Sequence, residues 1–245
     1  AYDYVIVDEA GKEEARRLLV PLIRGERWVL VGDHQQLPPY ADDALQARLL
    51  REGLDPRTVT RSLFEELQEP FERRGCYVFL DRQGRMHPDI SAFVSWRFYG
   101  GRLHDFPHAA THTMPRPAFL PDGPNLLVLD TRQLADRQDT KRGTGYVNLL
   151  EQALSVFILR AFAGLPAFQG GLTDDGRSGL PTVGVIAPYR RQVEDIERRV
   201  RRDPLLRVLL REGVLHVGTV DSFQGQERDL ILFTCTRSNP QGRLG

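Results

Sequence analysis

Cysteine, tryptophan and methionine are scarce in this chain, with two of each among 245 residues, and no apolar run approaches the length of a membrane span. The two cysteines, Cys76 and Cys235, are too few for a disulfide framework, so a reducing, cytoplasmic location is expected. The short apolar runs predict no transmembrane helix and no membrane partner. The first residues given show no signal-peptide pattern, which also supports the expected cytoplasmic location.

Net charge is also absent, because 33 Lys and Arg residues balance 33 Asp and Glu residues. No global basic field therefore argues for nucleic acid, and any such contact must come from local patches. Arginine far outnumbers lysine, which reflects genome composition as readily as phosphate binding. The hydrophobic content of 41% and charged content of 27% are ordinary for a soluble globular protein of one large or two small domains.

Two apolar runs that end in carboxylates are the most informative features present. Val5-Ile6-Val7 leads into Asp8-Glu9, and Val29-Leu30-Val31 leads into Gly32-Asp33-His34-Gln35-Gln36. Such runs are typical of buried strands in a parallel sheet, and ligands of open α/β sheets lie at the carboxyl ends of those strands. Asp8 and Glu9 are therefore expected where a nucleotide-bound Mg²⁺ and an attacking water would lie.

The phosphate-binding half of a nucleotide site is missing, because no Gly-x-x-x-x-Gly-Lys-Ser/Thr occurs in these residues. Strands alternate with helical patterns along the rest of the chain, which predicts an α/β fold with a doubly wound parallel sheet. Loops are expected over residues 104–122 and 164–179. The predicted strands cover residues 4–7, 28–31, 77–80, 126–129, 183–187, 216–220 and 230–235, and the predicted helices surround residues 15–23, 150–161 and 193–200.

Three further motifs follow strand ends, and each is ambiguous when taken alone. They are Gln83-Gly84-Arg85-Met86-His87-Pro88, then Val185-Ile186-Ala187-Pro188-Tyr189-Arg190-Arg191-Gln192, and finally Thr219-Val220-Asp221-Ser222-Phe223-Gln224-Gly225-Gln226-Glu227 with Thr236-Arg237-Ser238-Asn239 after it. An arginine such as Arg85 at a strand end can pair with phosphate oxygens. A surface arginine is the simpler explanation when the motif stands alone.

Taken in this order on one chain, the motifs resemble those of superfamily 1 helicases, in the group that includes the nonsense-mediated-decay helicase and its DNA-acting relatives. The resemblance runs from Tyr2 to Asn239. It implies RecA-like domains with a parallel sheet and flanking helices. Residues 1–76 would be the C-terminal part of the first domain, and residues 77–245 the second domain without its final motif.

The resemblance also implies roles for individual residues in a motor that uses ATP and Mg²⁺. Asp8 would hold Mg²⁺ through water, Glu9 would act as general base, Gln36 would sense the γ-phosphate, and Arg85 would act as an arginine finger. Gln83, Gly225 and Glu227 would meet the nucleotide. Pro188, Tyr189, Arg190, Thr219 and Ser222 would face the backbone of single-stranded DNA or RNA.

Two positions depart from the family pattern. Gly84 replaces an aromatic residue that packs on adenine, which puts base stacking and ATP selectivity in doubt, and Lys12 replaces a glutamine. The family's P-loop precedes the match to Asp8, and its last motif follows the match to Asn239. We therefore expect a portion of a larger helicase that is inactive alone and whose partner is the P-loop portion of the same protein.

Two other functions are compatible with parts of the pattern. A natural, degenerate helicase-like module would bind nucleic acid or partners without ATPase activity. A metal-dependent nuclease would use Asp8, Glu9 and Asp33 to bind two Mg²⁺ ions, but it leaves the motifs around Gln36 and Arg85 unexplained. The i, i+4, i+8 spacing of three histidines, His104, His108 and His112, is interrupted by Pro107 and therefore predicts a loop and no metal site.

Overall fold

The computed structural model describes residues 1–39, 43–55, 62–169 and 179–239, in which helices combine with several small sheets. The chain divides into two units, Ala1–Asp81 and Arg82–Gly245. None of the helices in these ranges has the length and apolar character needed to cross a membrane.

The first unit contains a strand–helix–strand arrangement, as the apolar spacing predicts. Strand β1 (Tyr2–Val7) pairs in parallel with β2 (Gly25–Leu30), in a register that aligns Val7 with Leu30. Helix α1 (Ala15–Leu22) connects them and buries Leu18 and Leu22 against this two-stranded sheet. The remaining helices are α2 (Asp43–Arg51) and α3 (Leu63–Arg73), and a 3-10 turn spans Ala10–Lys12.

One face of β1 is exposed, contrary to the expectation of a strand buried on both sides. The side chains of Tyr2, Tyr4 and Ile6 point to solvent, and Ile6 is 70% exposed. The alternate residues Val5 and Val7 pack toward the small core with α1. Because strand side chains alternate between faces, a helix on one side can cover only half of the apolar run.

The core elements of the second unit are α5 (Leu149–Ala163), β7 (Val183–Ala187), α6 (Arg190–Arg202), α7 (Leu206–Arg211), β8 (Leu215–Thr219), α8 (Val220–Phe223) and β9 (Leu230–Phe233). They are built around a three-stranded parallel sheet with the order β8–β7–β9. Helices α5 and α6 pack on it, and the buried residues of α6 are spaced as predicted, at Val193, Ile196 and Val200.

Smaller elements precede this core in the chain. Strand β3 (Arg82–Gln83) pairs in parallel with β4 (His104–Asp105), and helix α4 (Pro88–Phe98) lies between them in sequence. Strands β5 (Thr140–Arg142) and β6 (Gly145–Val147) form an antiparallel hairpin. The predicted loop at 104–122 therefore includes β4 and a 3-10 turn at Pro107–Thr111. The loop predicted at 164–179 begins with a 3-10 turn at Pro166–Phe168, and residues 170–178 lie outside the described ranges.

Two predicted strands are wrong in this structure. Residues 77–80 and 126–129 are described, yet neither segment forms a β-ladder. Their apolar side chains are largely exposed, with Val78 at 80% and Val128 at 86%. An apolar run identifies a segment that favours burial, but a strand also needs a neighbour for its backbone N–H and C=O groups.

Candidate functional site

The carboxyl ends of β1 and β2 meet at one edge of the first unit. The backbone N–H of Val31 donates to the carbonyl of Val7 at 2.8 Å, and that of Ala10 donates to the carbonyl of Val31 at 2.9 Å. Both runs that carry carboxylates therefore leave the sheet side by side. The juxtaposition follows from parallel pairing and places Asp8 and Asp33 in adjacent loops.

Glu9 occupies an unusual backbone conformation directly after β1. Its φ of 55° and ψ of 32° lie in the left-handed region, where a non-glycine residue is uncommon. The Glu9 N–H donates to Oδ1 of Asp8 at 2.9 Å, so the first carboxylate stabilises the turn that presents the second. Both side chains are exposed and accessible to a ligand.

Two glycines allow these loops to approach closely. A Cβ at Gly11 would lie 2.8 Å from the carbonyl oxygen of Asp33, and a Cβ at Gly32 would lie 2.7 Å from the backbone N of Gly11. Any side chain at either position would force the strand ends apart. Sequence reasoning did not assign these glycines a role, although each follows an apolar run within a few residues.

Asp33 orients Gln36, the predicted γ-phosphate sensor. Oδ1 of Asp33 accepts from the Gln35 N–H at 2.9 Å, and Oδ2 accepts from Nε2 of Gln36 at 3.0 Å. This carboxylate is thus engaged by its own loop. Within the described residues, no group of three or more His, Cys, Asp or Glu side chains lies close enough to hold a metal ion.

Gln83, predicted to contact the nucleotide, organises its own turn. Its Oε1 accepts from the backbone N–H groups of Arg85 at 2.9 Å and Met86 at 2.7 Å. Its Nε2 donates to the Met86 carbonyl at 2.8 Å and to the carboxylate of Asp105. The amide therefore fixes the direction in which the chain presents Arg85.

Arg85 and Glu227, both predicted to act on the nucleotide, are brought together in the second unit. Nε of Arg85 donates to Oε1 of Glu227 at 2.5 Å, and the two side chains are 62% and 64% exposed. Because the pair is open to solvent, its contribution to folding is small, roughly 0–1 kcal/mol. The guanidinium keeps further donors for an oxyanion.

An imidazole lies against Gly84, the glycine at which the resemblance leads us to expect an aromatic side chain. A Cβ at Gly84 would be 2.6 Å from Nε2 of His108, and the His108 ring stacks on Phe106 with centroids 5.8 Å apart. Nδ1 of His112 lies 3.0 Å from the backbone carbonyl oxygen of Arg85, which accepts its hydrogen bond. The loop rings therefore occupy the space beside the Gly84-Arg85 turn.

We expect the loop that carries His104, His108 and His112 to bind no stoichiometric zinc. His104 belongs to β4, His108 stacks on Phe106, and His112 bonds to backbone, so the three rings have different local partners. Elemental analysis of protein purified without a polyhistidine tag measures this directly. One tightly held zinc per chain would contradict the expectation.

The residues predicted to face nucleic acid gather at the carboxyl edge of the three-stranded sheet. Ala187 at the end of β7 aligns with Thr219 at the end of β8, so Pro188 and Tyr189 emerge beside Thr219. Oγ of Ser222 donates to the Thr219 carbonyl at 2.7 Å, and the side chain of Arg190 is 88% exposed.

Packing beneath this edge depends on two glycines in the strands. A Cβ at Gly184 would lie 2.6 Å from the Phe223 ring, and one at Gly218 would lie 2.2 Å from Oγ of Ser222. Phe223 is buried there and stacks on His216, which fixes the short helix α8 against the sheet. Gly225, predicted to meet the nucleotide, follows with a φ of 75° in an open turn.

A buried ion pair that sequence reasoning did not identify supports Tyr189. Arg237 donates from Nε to Oδ2 of Asp139 at 3.1 Å, and the two side chains are only 9% and 6% exposed. Nη1 of Arg237 lies 3.5 Å from the Tyr189 hydroxyl, and its guanidinium lies 3.8 Å from the centroid of the Tyr146 ring. The hydrogen bond to Tyr189, followed by that to Asp139, raises the pKa of Arg237 above its usual value.

The segment after β9 is fixed by a buried carboxylate as well. Oε2 of Glu151 accepts from the Thr236 N–H at 2.9 Å, where Thr236 has a φ of 63°. Burial raises the pKa of Glu151 against the lowering effect of these backbone N–H donors. The contact between Glu151 and Thr236 holds the segment in which Arg237 lies beside Tyr189. It has no local sequence signature, because its two partners are far apart in the chain.

Comparison with known proteins gives matches along the whole chain. Two family models, each described as an AAA domain, match residues 1–42 and residues 59–245. Helicase sen1 of Schizosaccharomyces pombe is 30% identical over 100% of this chain. A regulator of nonsense transcripts 1 homolog of Arabidopsis thaliana is 32% identical over 98%, and the DNA replication ATP-dependent helicase/nuclease DNA2 of Mus musculus is 31% identical over 100%.

The matched region is a small part of each of these relatives. It covers 13% of the Schizosaccharomyces pombe protein, 18% of the Arabidopsis thaliana protein and 22% of the Mus musculus protein. The chain thus spans less than a quarter of the length of any of the three. Their similarity nevertheless extends across both structural units, because the matches cover nearly all of the present residues.

Proposed function

This chain belongs to the superfamily 1 helicases of the group that includes the regulator of nonsense transcripts, and from that premise we propose that it is the motor portion of an ATP-dependent helicase or translocase acting on single-stranded DNA or RNA. The observation that carries the proposal is the meeting of two acidic loops at one edge of the β1–β2 sheet. Asp8 and Glu9 lie in one loop, and Asp33 with its partner Gln36 lies in the other.

The proposed domains are RecA-like. Residues 1–76 correspond to the C-terminal part of the first domain and residues 77–245 to the second, each with a parallel sheet and flanking helices. The parallel β1–β2 pair and the parallel β8–β7–β9 sheet support this proposal, because strands joined by helical crossovers characterise doubly wound folds.

The donor chemistry at the end of β1 fits Mg²⁺. Asp8 offers an exposed carboxylate, and hard oxygen ligands of this kind, often acting through water, are those that Mg²⁺ prefers. Asp8 would hold the ion, which would supply charge neutralisation on the phosphate oxygens. Glu9 would accept the proton of the attacking water, and Gln36, oriented by Asp33, would contact the γ-phosphate.

The second unit carries the arginine proposed to stabilise the phosphate charge. Arg85 would place its guanidinium on the γ-phosphate and stabilise the charge that develops during transfer. Its hydrogen bond to the carboxylate of Glu227 supports this role, because a phosphate oxygen is an oxyanion of the same kind. Glu227 and Gly225 would contact the nucleotide, and Gln83 would act by fixing the turn that carries Arg85.

The carboxyl edge of the β8–β7–β9 sheet is the proposed contact for the strand. Pro188, Tyr189, Arg190, Thr219 and Ser222 would bind the sugar–phosphate backbone there. Contacts of this kind do not depend on base sequence, which suits a motor that moves along any strand.

The test compares the full-length protein that contains these residues with the 245-residue chain by itself. The full-length protein is expected to hydrolyse ATP and to be stimulated by single-stranded DNA or RNA. The isolated chain is expected to stay at background, because the Gly-x-x-x-x-Gly-Lys-Ser/Thr pattern that binds the triphosphate does not occur within it. Steady-state phosphate release with and without saturating oligonucleotide measures both.

Each outcome separates the proposals. Strand-stimulated turnover by the isolated chain, abolished by Glu9→Gln so that contamination is excluded, would contradict the need for a P-loop elsewhere. Strand binding without turnover in the full-length protein would instead favour a helicase-like binding module.

A further inference from the structure

The hairpin formed by β5 and β6 carries a cation and an aromatic ring on one face. Its register aligns Lys141 with Tyr146, so these directly opposed side chains leave the same side of the hairpin. Gly143, with a φ of 63°, begins the two-residue connection Gly143-Thr144. A glycine at the first central position suits the tight turns that fix hairpin register. The Lys141–Tyr146 pair is therefore specified by local geometry.

The hairpin is attached firmly to the predicted nucleic-acid edge. The rings of Tyr146 and Tyr189 meet edge to face, with centroids 5.4 Å apart, and the Arg237 guanidinium covers Tyr146 at 3.8 Å. The next residues anchor the end of β6, because Val147 and Asn148 are both fully buried and the Asn148 N–H donates to Oε1 of Gln192 at 3.0 Å. The hairpin consequently has a fixed position beside Tyr189.

Positive charge is in excess on this surface. Arg142 on β5 and Arg191 on the first turn of α6 both contact Asp195, a Cβ at Gly145 would lie 3.5 Å from Cβ of Arg191, and all of β5, including Lys141, is exposed. Two acids, Glu194 and Asp195, partly balance the arginines at distances of 3.2–3.9 Å. Within residues 1–39, 43–55, 62–169 and 179–239, no carboxylate forms an ion pair with Lys141.

We propose that the hairpin Thr140–Val147 is a contact site for single-stranded nucleic acid, in which Lys141 binds a backbone phosphate and extends the surface of Tyr189 and Arg190. The proposal rests on the function proposed above. Lysine supplies a phosphate-binding point charge, and flat rings next to such charges favour bases over an acidic peptide. Tyr146, covered on one side by Arg237, lies opposite Lys141 in the hairpin and meets Tyr189 edge to face.

A binding experiment tests the phosphate contact. Fluorescein-labelled oligo-dT and oligo-U are titrated with the chain over a series of salt concentrations. The slope of log K against log salt is negative, and loss of one phosphate contact on a single strand makes it less negative by about 0.7, so Lys141→Ala is expected to show this change. Lys141 is exposed, so unchanged thermal unfolding of the variant is expected and separates lost contact from lost folding.

Arg211→Ala is the matched control. Arg211 is an exposed cation at the end of α7, paired with Glu212, and it lies shortly before the start of β8. It therefore belongs to the amino edge of the sheet, opposite the edge that carries Thr219. Its removal changes net charge by the same amount as Lys141→Ala and should leave the salt slope unchanged.

Chemical footprinting provides a second readout, because Lys12 and Lys141 are the only lysines in the sequence. Acetylation of Lys141, followed by mass spectrometry, is expected to slow when oligo-dT is bound, while Lys12 in the first unit is modified at an unchanged rate. Poly-glutamate at the same charge concentration serves as the competing polyanion. Equal protection of Lys141 by poly-glutamate would overturn the assignment to nucleic acid.

The outcomes distinguish the hairpin from the function on which it rests. Absence of any strand binding by the unmodified chain would overturn both proposals. Binding that weakens with Arg190→Ala, yet has the same salt slope in Lys141→Ala as in the unmodified chain, would overturn only the hairpin contact. A less negative slope in Lys141→Ala, together with protection of Lys141 by oligo-dT, supports it.

Discussion

Replacing Arg85 by alanine in the full-length protein is expected to lower ATP turnover by about 10³–10⁵-fold, the range associated with arginine fingers. Affinity for ADP should change far less, because the guanidinium acts on the γ-phosphate, which ADP lacks. The side chain is 62% exposed and paired with a solvent-exposed carboxylate, so its removal takes nothing from the core. Single-turnover hydrolysis and fluorescent ADP titration measure the two effects separately.

A matched control exists for this variant in the same unit. Arg132 also donates from Nε to an exposed carboxylate, that of Asp130, at 2.6 Å, and it lies in none of the motifs. Arg132→Ala should leave turnover unchanged. Arg85→Lys keeps the charge but loses the planar fork, so it should recover only part of the activity. Equal losses of ADP affinity and turnover in Arg85→Ala would make Arg85 a general binding residue.

The segments predicted well from sequence are those whose apolar spacing matches their environment. The stripe Val193, Ile196 and Val200 is buried in α6 because its period fits a helix lying on a sheet. The continuous run at Val183–Ala187 is buried because β7 is the central strand, with β8 and β9 on either side. In both cases one local pattern determines both the element and its burial.

Residues 77–80 and 126–129 carry the same kind of apolar run without becoming strands. Such a run becomes a strand only when a partner strand from a distant part of the chain lies beside it. The spacing of apolar residues in the run carries no information about that partner. The β5–β6 hairpin was not predicted because it has no apolar run. Lys141 and Arg142 are polar, and each strand has only three residues. Only Gly143 in its turn gave a local signal.

The candidate site also contains residues that the sequence indicated and residues that only the structure identified. Order and type of residue in the motifs indicated Asp8, Glu9, Gln36 and Arg85, because phosphoryl transfer requires carboxylates, an amide and a cation in defined places. The residues that orient them came only from the structure. Asp33 bonds to Gln36, and Asp139 lies 98 positions before its partner Arg237 in the chain.

Changing Glu9 to glutamine in the full-length protein is expected to reduce ATP turnover by about 10²–10⁴-fold, the usual contribution of a general base. The amide keeps the shape of the side chain and its backbone turn, but it does not take the proton of the attacking water. Binding of ATP should be retained, since the neutral amide presents less negative charge to the triphosphate. Phosphate release and equilibrium ATP titration measure turnover and binding on the same preparation.

Glu26→Gln is the control for this change. Glu26 is an exposed carboxylate on β2 in the same unit, outside the loops that meet at the carboxyl edge, so its loss alters net charge equally and should leave turnover unaffected. The left-handed backbone at position 9 does not disturb the comparison, because Glu and Gln share its cost and differ only in the charge and basicity of the side chain. Near-normal turnover in Glu9→Gln would remove this residue from the base role. The water would then have to be activated by another group, and the exposed carboxylate of Asp8, next to it in the same turn, would be the first to examine.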